Sequence, residues 1–278
     1  GTVVFDAPSP AAQAAPVGAI IDNGTVQLGV WDTGNLNVPD GPSSCEEEET
    51  IVGLRFVPTG CDSTSPGCTC EGWGVADATN SLSGWANDAE GGAFNMTVES
   101  FTSDASTAVS TALVNDGVET DIFRVTHDYH PSSATDNLYE VEVTIENISG
   151  SDVEVLYRRV MDWDVEPTAF DEVVTLNAGT AANLVATNND GFASADPLTA
   201  ADPDDLDEGW FTTGSFTDLG PSDHGALFDF DFGTLGAGDS LSFITYYGAA
   251  ATESQAEDAL AAVGAEAYSF GQTSTDPT

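Results

Sequence analysis

The sequence predicts an all-β protein: a large antiparallel β-sandwich with one short C-terminal helix. Three observations predict it. Short segments alternate apolar and polar residues with the period of two that a half-buried strand requires. Turn residues separate these segments at short intervals. Only one stretch has helical spacing with capping residues at both ends. No internal repeat of fixed period is visible, which argues against a propeller or a solenoid.

Residues 1–19 form an N-terminal arm. Thr2, Val3, Val4 and Phe5 make a short apolar segment with β character, and Pro8, Pro10 and Pro16 punctuate the alanine-rich stretch behind it. Prolines so closely spaced make a semi-rigid extended spacer rather than a helix. A sticky strand on a stiff arm suits strand addition to a neighbouring molecule; it equally suits a strand that folds back on its own domain. The β domain is expected over residues 20–272, with a tail at 273–278. Within it, Thr25–Trp31 places Val26, Leu28 and Val30 on one side, and Ile51–Val57 is an apolar run interrupted by Arg55. Phe94, Met96 and Val98 alternate with polar neighbours. Ile122–Tyr129 sets Phe123, Val125, His127 and Tyr129 on one face. Leu138–Ile148 is the clearest strand, with Tyr139, Val141, Val143 and Ile145 opposite Glu140, Glu142, Thr144 and Glu146. The turn string 147–152 then predicts an antiparallel hairpin into a second strand, on which Val153, Val155, Tyr157, Met161, Trp163 and Val165 share a face. Strands follow at Glu172–Leu176, Asn183–Thr187, Ala226–Phe232 and Ser240–Tyr247. The helix spans Glu253–Val263, capped by Thr252 with Gln255 completing a capping box. Ala256, Ala259, Leu260 and Val263 form its apolar stripe, and Gly264 ends it.

The charge is extreme: 278 residues carry 47 Asp and Glu against four Lys and Arg, a formal net charge of −43. The four cations are Arg55, Arg124, Arg158 and Arg159, so the chain has no lysine. Such a chain repels itself in dilute buffer, and the repulsion is screened in brine, where the Debye length falls to about 3 Å at 1 M salt. Disorder is the rival explanation of high acidity, but 41% apolar and 9% aromatic residues in strand patterns argue for a core. Nucleic acid is excluded as a partner because no basic patch can be built. Membrane insertion is not expected, since no apolar run is long enough to span a bilayer. The start at Gly1 reads as that of a processed, exported chain.

Cys45, Cys61, Cys68 and Cys70 lie within 26 positions of one another. An even, clustered set in an exported protein predicts two disulfides, with three pairings open; the spacing lacks the paired CxxC of a zinc site. Asn23, Asn95 and Asn147 each head an N-glycosylation triplet.

Several longer stretches point further. They are Gly53–Gly60 (GLRFVPTG), Glu71–Asp77 (EGWGVAD), Arg124–Pro131 (RVTHDYHP), Tyr157–Thr168 (YRRVMDWDVEPT) and Tyr268–Gln272 (YSFGQ). Together they resemble a group of uncharacterised exported bacterial proteins, some of which carry a C-terminal cell-surface sorting tail. The resemblance covers roughly residues 20–272 and implies secretion or surface attachment. It implies no catalytic residues.

Two acidic groups are candidate Ca²⁺ ligands, since that ion takes six to eight oxygens. Asp202, Asp204, Asp205 and Asp207 crowd one loop closed by Gly209. Asp162, Asp164 and Glu166 recur at period two on one strand, which brings their carboxylates together. Those three also suit an acid/base pair, or a solvated acidic face with one ion pair to Arg158. His127 and His130, three apart, tend toward opposite faces and are poorly placed to share a metal. Serine elbow, zinc-protease and phosphate-loop motifs are absent. The expected function is therefore non-enzymatic: an extracellular structural subunit that self-assembles into a surface filament, coat or matrix in strong salt. A carbohydrate-binding or adhesive module taking surface glycans, or a glycan-directed enzyme, is the alternative on the same scaffold.

Overall fold

In a computed structural model that describes residues 17–45, 50–118, 120–207 and 209–275, the strands sort into four antiparallel sheets. The first runs in chain order: β1 (Gly18–Asp22), β2 (Val26–Trp31), β3 (Leu54–Phe56) and β4 (Cys61–Asp62). The next three strands are β5 (Gly72–Asp77), β6 (Leu82–Asn87) and β7 (Gly92–Phe94). They continue a six-stranded sheet whose other members are β12 (Val153–Trp163), β14 (Leu184–Asn188) and β16 (His224–Leu235), in the order β14-β16-β12-β5-β6-β7. A five-stranded sheet has β8 (Met96–Ser103), β9 (Ala108–Asn115), β10 (Asp121–Pro131), β11 (Leu138–Asn147) and β17 (Ser240–Gly248), ordered β17-β11-β10-β9-β8. The last sheet places β13 (Glu172–Asn177) between β15 (Phe216–Ser222) and β18 (Tyr268–Gln272). The helix α1 (Glu253–Val263) lies between β17 and β18 in the chain.

The all-β, antiparallel class with one α-helix is as expected. The single sandwich is not: four sheets of three to six strands make a four-bladed, propeller-like arrangement. The lack of a sequence repeat misleads because the blades differ in strand number and are threaded out of chain order. The predicted hairpin at 147–152 is also corrected. β11 pairs with β10 and β17, whereas β12 pairs with β16 and β5, so the turn carries the chain from one sheet to another. Local turn chemistry is the same in both cases; the pairing is decided by strands far away in sequence.

The clearest alternations hold. Tyr139, Val141, Val143 and Ile145 of β11 and Phe123, Val125, His127 and Tyr129 of β10 are all fully buried. Their partners across the core come from the six-stranded sheet. Trp73 lies 4.4 Å from His127 between ring centroids, and Tyr157 meets Phe243 edge-on at 5.0 Å. The helix cap is as read: the Thr252 side chain accepts from the Gln255 backbone N–H, and Gly264 adopts the left-handed conformation, φ 64°. The apolar stripe of α1 is only partly covered, with Ala259 alone buried.

His127 is locked in the core, with Nε2 3.2 Å from the Tyr157 hydroxyl. Burial, reinforced by the Arg159 charge, holds its pKa well below the usual value, so the folded ring is neutral. The unfolded ring protonates near pH 6.5. Below that pH the unfolded state binds more protons, so stability from this group is present above about pH 6.5 and lost as pH falls, by up to about 1.4 kcal/mol per pH unit. His127→Gln should flatten the decline in denaturant midpoint between about pH 6.5 and pH 5 relative to the parent chain. Parallel pH profiles would contradict this assignment.

Candidate functional site

β12 is paired along both edges, and over Tyr157–Trp163 both of its faces are buried, with only Met161 partly exposed. That placement overturns the solvated acidic face. Asp162 is 2% exposed and Asp164 is fully buried. Arg158 does not serve them: it grips Asp229 with Nε and Nη2 at 2.7 and 2.9 Å and donates Nη1 to the Ser194 carbonyl. Glu166 parts from the other two. Its carboxylate accepts from the Ser44 hydroxyl at 2.6 Å and the Asp62 backbone N–H at 2.7 Å, beside the Cys45–Cys61 bridge.

The third member of the group is instead Asp223, in the turn between β15 and β16. One carboxylate oxygen from each of Asp162, Asp164 and Asp223 lies within 4.8 Å of the others. β12 and β16 pair Asp162 with Gly225 and Trp163 with His224, which brings the turn residue alongside. Glu172, the first residue of β13, and Asp190, just after β14, are both fully buried and both repel Asp162. Burial raises the pKa of Asp162 and Asp164 far above the carboxylate range, with repulsion inside the group adding to it. Burial likewise lifts Glu172 to about 8 and Asp190 to about 6. His224 contributes no positive charge: burial lowers its pKa to about 4, and its Nε2 lies 3.1 Å from the Leu219 carbonyl. The backbone leaves space around the acids. A Cβ at position 67 would sit 3.0 and 3.2 Å from the two Asp164 oxygens, and φ there is +86°. These residues could hold a metal ion.

Sequence reasoning could not place Asp190 and Asp223, which lie 26 and 59 positions beyond Asp164, or Glu172, which lies on another sheet. The Asp202–Asp207 loop does not converge on a centre. Asp202, Asp204, Asp205 and Asp207 are all exposed, and the Asp202 carboxylate caps a single 3₁₀ turn at Pro203–Asp205. The acidity there is a turn's chemistry.

The cysteines pair as Cys45–Cys61 and Cys68–Cys70, which closes the zinc alternative and fits a non-reducing compartment. At all three glycosylation triplets the side-chain amide nitrogen, the atom a glycan would occupy, donates to a backbone carbonyl. Asn23 donates to Asp136, Asn95 to Ser83, and Asn147 to both Ser151 and Leu235. Asn147 is fully buried, so this fold has no room for a glycan there. Thr2, Val3, Val4 and Phe5 lie outside the described residues. No helix among the described residues is long and apolar enough to cross a membrane.

A second feature was not foreseen. A cleft of about 1040 Å³ opens between α1, β16, β17 and β18. Phe228, Phe230, Phe232 and Phe243 line it, with Leu260 and Val263 of α1 opposite. Phe232 and Phe243 stack at 4.8 Å between centroids, yet all four phenylalanines keep exposed surface. β17 is the edge of its sheet, so one row of its backbone groups is unpaired by any described strand. The alternating aromatics of 228–232 were legible as a strand face; that the described residues leave them partly exposed was not.

Set against known proteins, the sequence matches no family model and no curated protein.

Proposed function

We propose that this chain is an extracellular structural subunit that self-assembles by lending its N-terminal segment to a second copy. The observation that carries the reading is the aromatic cleft beside the open edge of β17. An unpaired edge next to uncovered apolar surface is a standing template for strand addition. The occupant offered by this chain is Thr2–Phe5, an apolar β segment. A proline-rich segment of 11 residues, the number from 6 to 16, spans roughly 35 Å when extended, enough to reach a neighbouring molecule. Val17, where the described chain begins, is exposed and held at Asp32 through a 3.0 Å hydrogen bond. The two disulfides, the acidic surface and the resemblance to exported proteins support a surface location in strong salt.

The test is electron microscopy and light scattering in molar NaCl. The full chain is expected to form polymers, and the chain lacking residues 1–16 to remain a folded monomer. A synthetic peptide of residues 1–16 should bind that monomer, and Phe230→Asp should weaken the binding by at least about tenfold, since burying an unpaired charge in an apolar groove is costly. A strictly monomeric full chain, or equal polymerisation without residues 1–16, would defeat the proposal.

A further inference from the structure

We infer that Asp162, Asp164, Asp223 and Glu172 form a buried Ca²⁺ site that ties the end of β12 to the start of β13 and to the β15–β16 turn. The trio of aspartates is close enough to share one ion. An acidic cluster alone would not establish this, since acidic groups abound here. Glu172 supplies a separate observation. It comes from a different sheet, it is fully buried, and its Oε2 has no partner, yet it sits within repulsion range of Asp162, Asp164 and Asp223. The Asp164 Oδ1 and Oδ2, the Asp162 Oδ1 and the Asp223 Oδ1 are buried and unpartnered too. Cys68 Sγ lies 3.4 Å from the remaining Asp162 oxygen, and a disulfide sulfur carries no hydrogen to donate.

Buried carboxylates without a cation are costly. The rest of the chain follows that rule. Every arginine is paired with an acid: Arg55 with Asp62, Arg124 with Glu99 and Glu146, Arg158 with Asp229, Arg159 with Glu71. None is left for the group at Asp164. Oxygen-only ligands select a hard cation. A buried cage of several carboxylates suits Ca²⁺, because Mg²⁺ holds its waters and takes one or two carboxylates.

The site goes beyond the assembly reading and is tested without it, on the full chain in molar NaCl after chelation. Ca²⁺ is titrated by calorimetry, and Tb³⁺ by luminescence sensitised through Trp163, which lies between two of the ligands in sequence. One saturable site per chain is expected, together with a rise in thermal midpoint on adding Ca²⁺. Asp164→Asn and Glu172→Gln should each weaken binding by at least about tenfold, while remaining folded without the ion because each keeps the shape of the acid it replaces and carries no charge. Asp204→Asn, on the exposed loop, should bind like the parent. Absence of a saturable site in molar NaCl would overturn the inference, as would equal binding by the Asp164, Glu172 and Asp204 variants.

Discussion

Arg159→Met is expected to destabilise the fold by about 3–5 kcal/mol, the cost of leaving a buried acid without its partner. Arg159 sits on β12 on the same side as Tyr157 and Met161, and that side faces the core. Its Nη2 lies 2.8 Å from Glu71, which is fully buried immediately before β5. Its Nε donates to the Tyr247 hydroxyl, which passes the bond on to Glu71 at 2.5 Å, and Nη2 also reaches the Tyr129 hydroxyl at 3.2 Å. The other Glu71 oxygen accepts from the Leu36 backbone N–H at 2.6 Å. One guanidinium thus ties the six-stranded sheet to the five-stranded sheet, and through Glu71 it reaches the Leu36 backbone. Methionine keeps much of the volume and none of the charge, so the loss reports on Glu71 rather than on packing. Glu71→Gln added to Arg159→Met should recover part of the loss, because the buried charge is gone while one acceptor remains. A double-mutant cycle by denaturant unfolding, at fixed salt, measures the coupling. A single-variant loss below about 1 kcal/mol, or strictly additive losses, would show that the pair does not hold the core.

This pair also explains how the chain keeps so few cations. Three of its four arginines are nearly or wholly buried against acids, and the fourth, Arg124, bridges two half-exposed glutamates. The cations retained are mostly those the interior requires. Lysine, a strongly hydrated point charge that suits the surface, is the one discarded.

How much of this could be read in the sequence depended on how local the cause was. β10, β11 and α1 were legible nearly to the residue, since alternation and caps are local signals. β5 was not: Gly72 and Gly74 interrupt its pattern, and every one of its residues is buried, so it shows no polar face. The glycines are there for close approach; a Cβ at position 74 would meet the Ala195 carbonyl oxygen at 2.2 Å. The sheet order was illegible for a different reason. Strands β11 and β12 are joined by a good turn and still part company, because each has better partners elsewhere in the chain. The acidic site was half legible. Period-two spacing put Asp162 and Asp164 together, but Glu166 leaves them as the chain leaves the strand at Trp163, and Asp223 and Glu172 arrive only through tertiary pairing. Arg159 carried a readable signal that alternation alone supplied: an arginine in step with Tyr157 and Met161 has to point inward.

Moving the folded protein from molar NaCl to about 0.1 M should lower its thermal midpoint by at least about 10 °C, or roughly 3 kcal/mol at this chain length. The cause is the net charge of −43 on one small body. At 1 M salt each exposed carboxylate is screened beyond about 3 Å; at 0.1 M the range grows to about 10 Å, which takes in several neighbours at once. Unfolding spreads the charges apart, so weaker screening favours the unfolded chain. NaCl and KCl should act alike if screening is the cause, and a midpoint that does not change with salt would defeat the argument. The same titration separates surface from interior. Monovalent salt relieves repulsion among exposed acids but does not reach Asp164 and Glu172, which are fully buried. Stability should therefore rise with NaCl along one curve in chelator and along a second, higher curve in Ca²⁺. The gap between the curves should persist in molar NaCl for the parent chain and close in Asp164→Asn. A gap that vanished in strong salt for the parent would place the Ca²⁺ response on the surface, with the other acids.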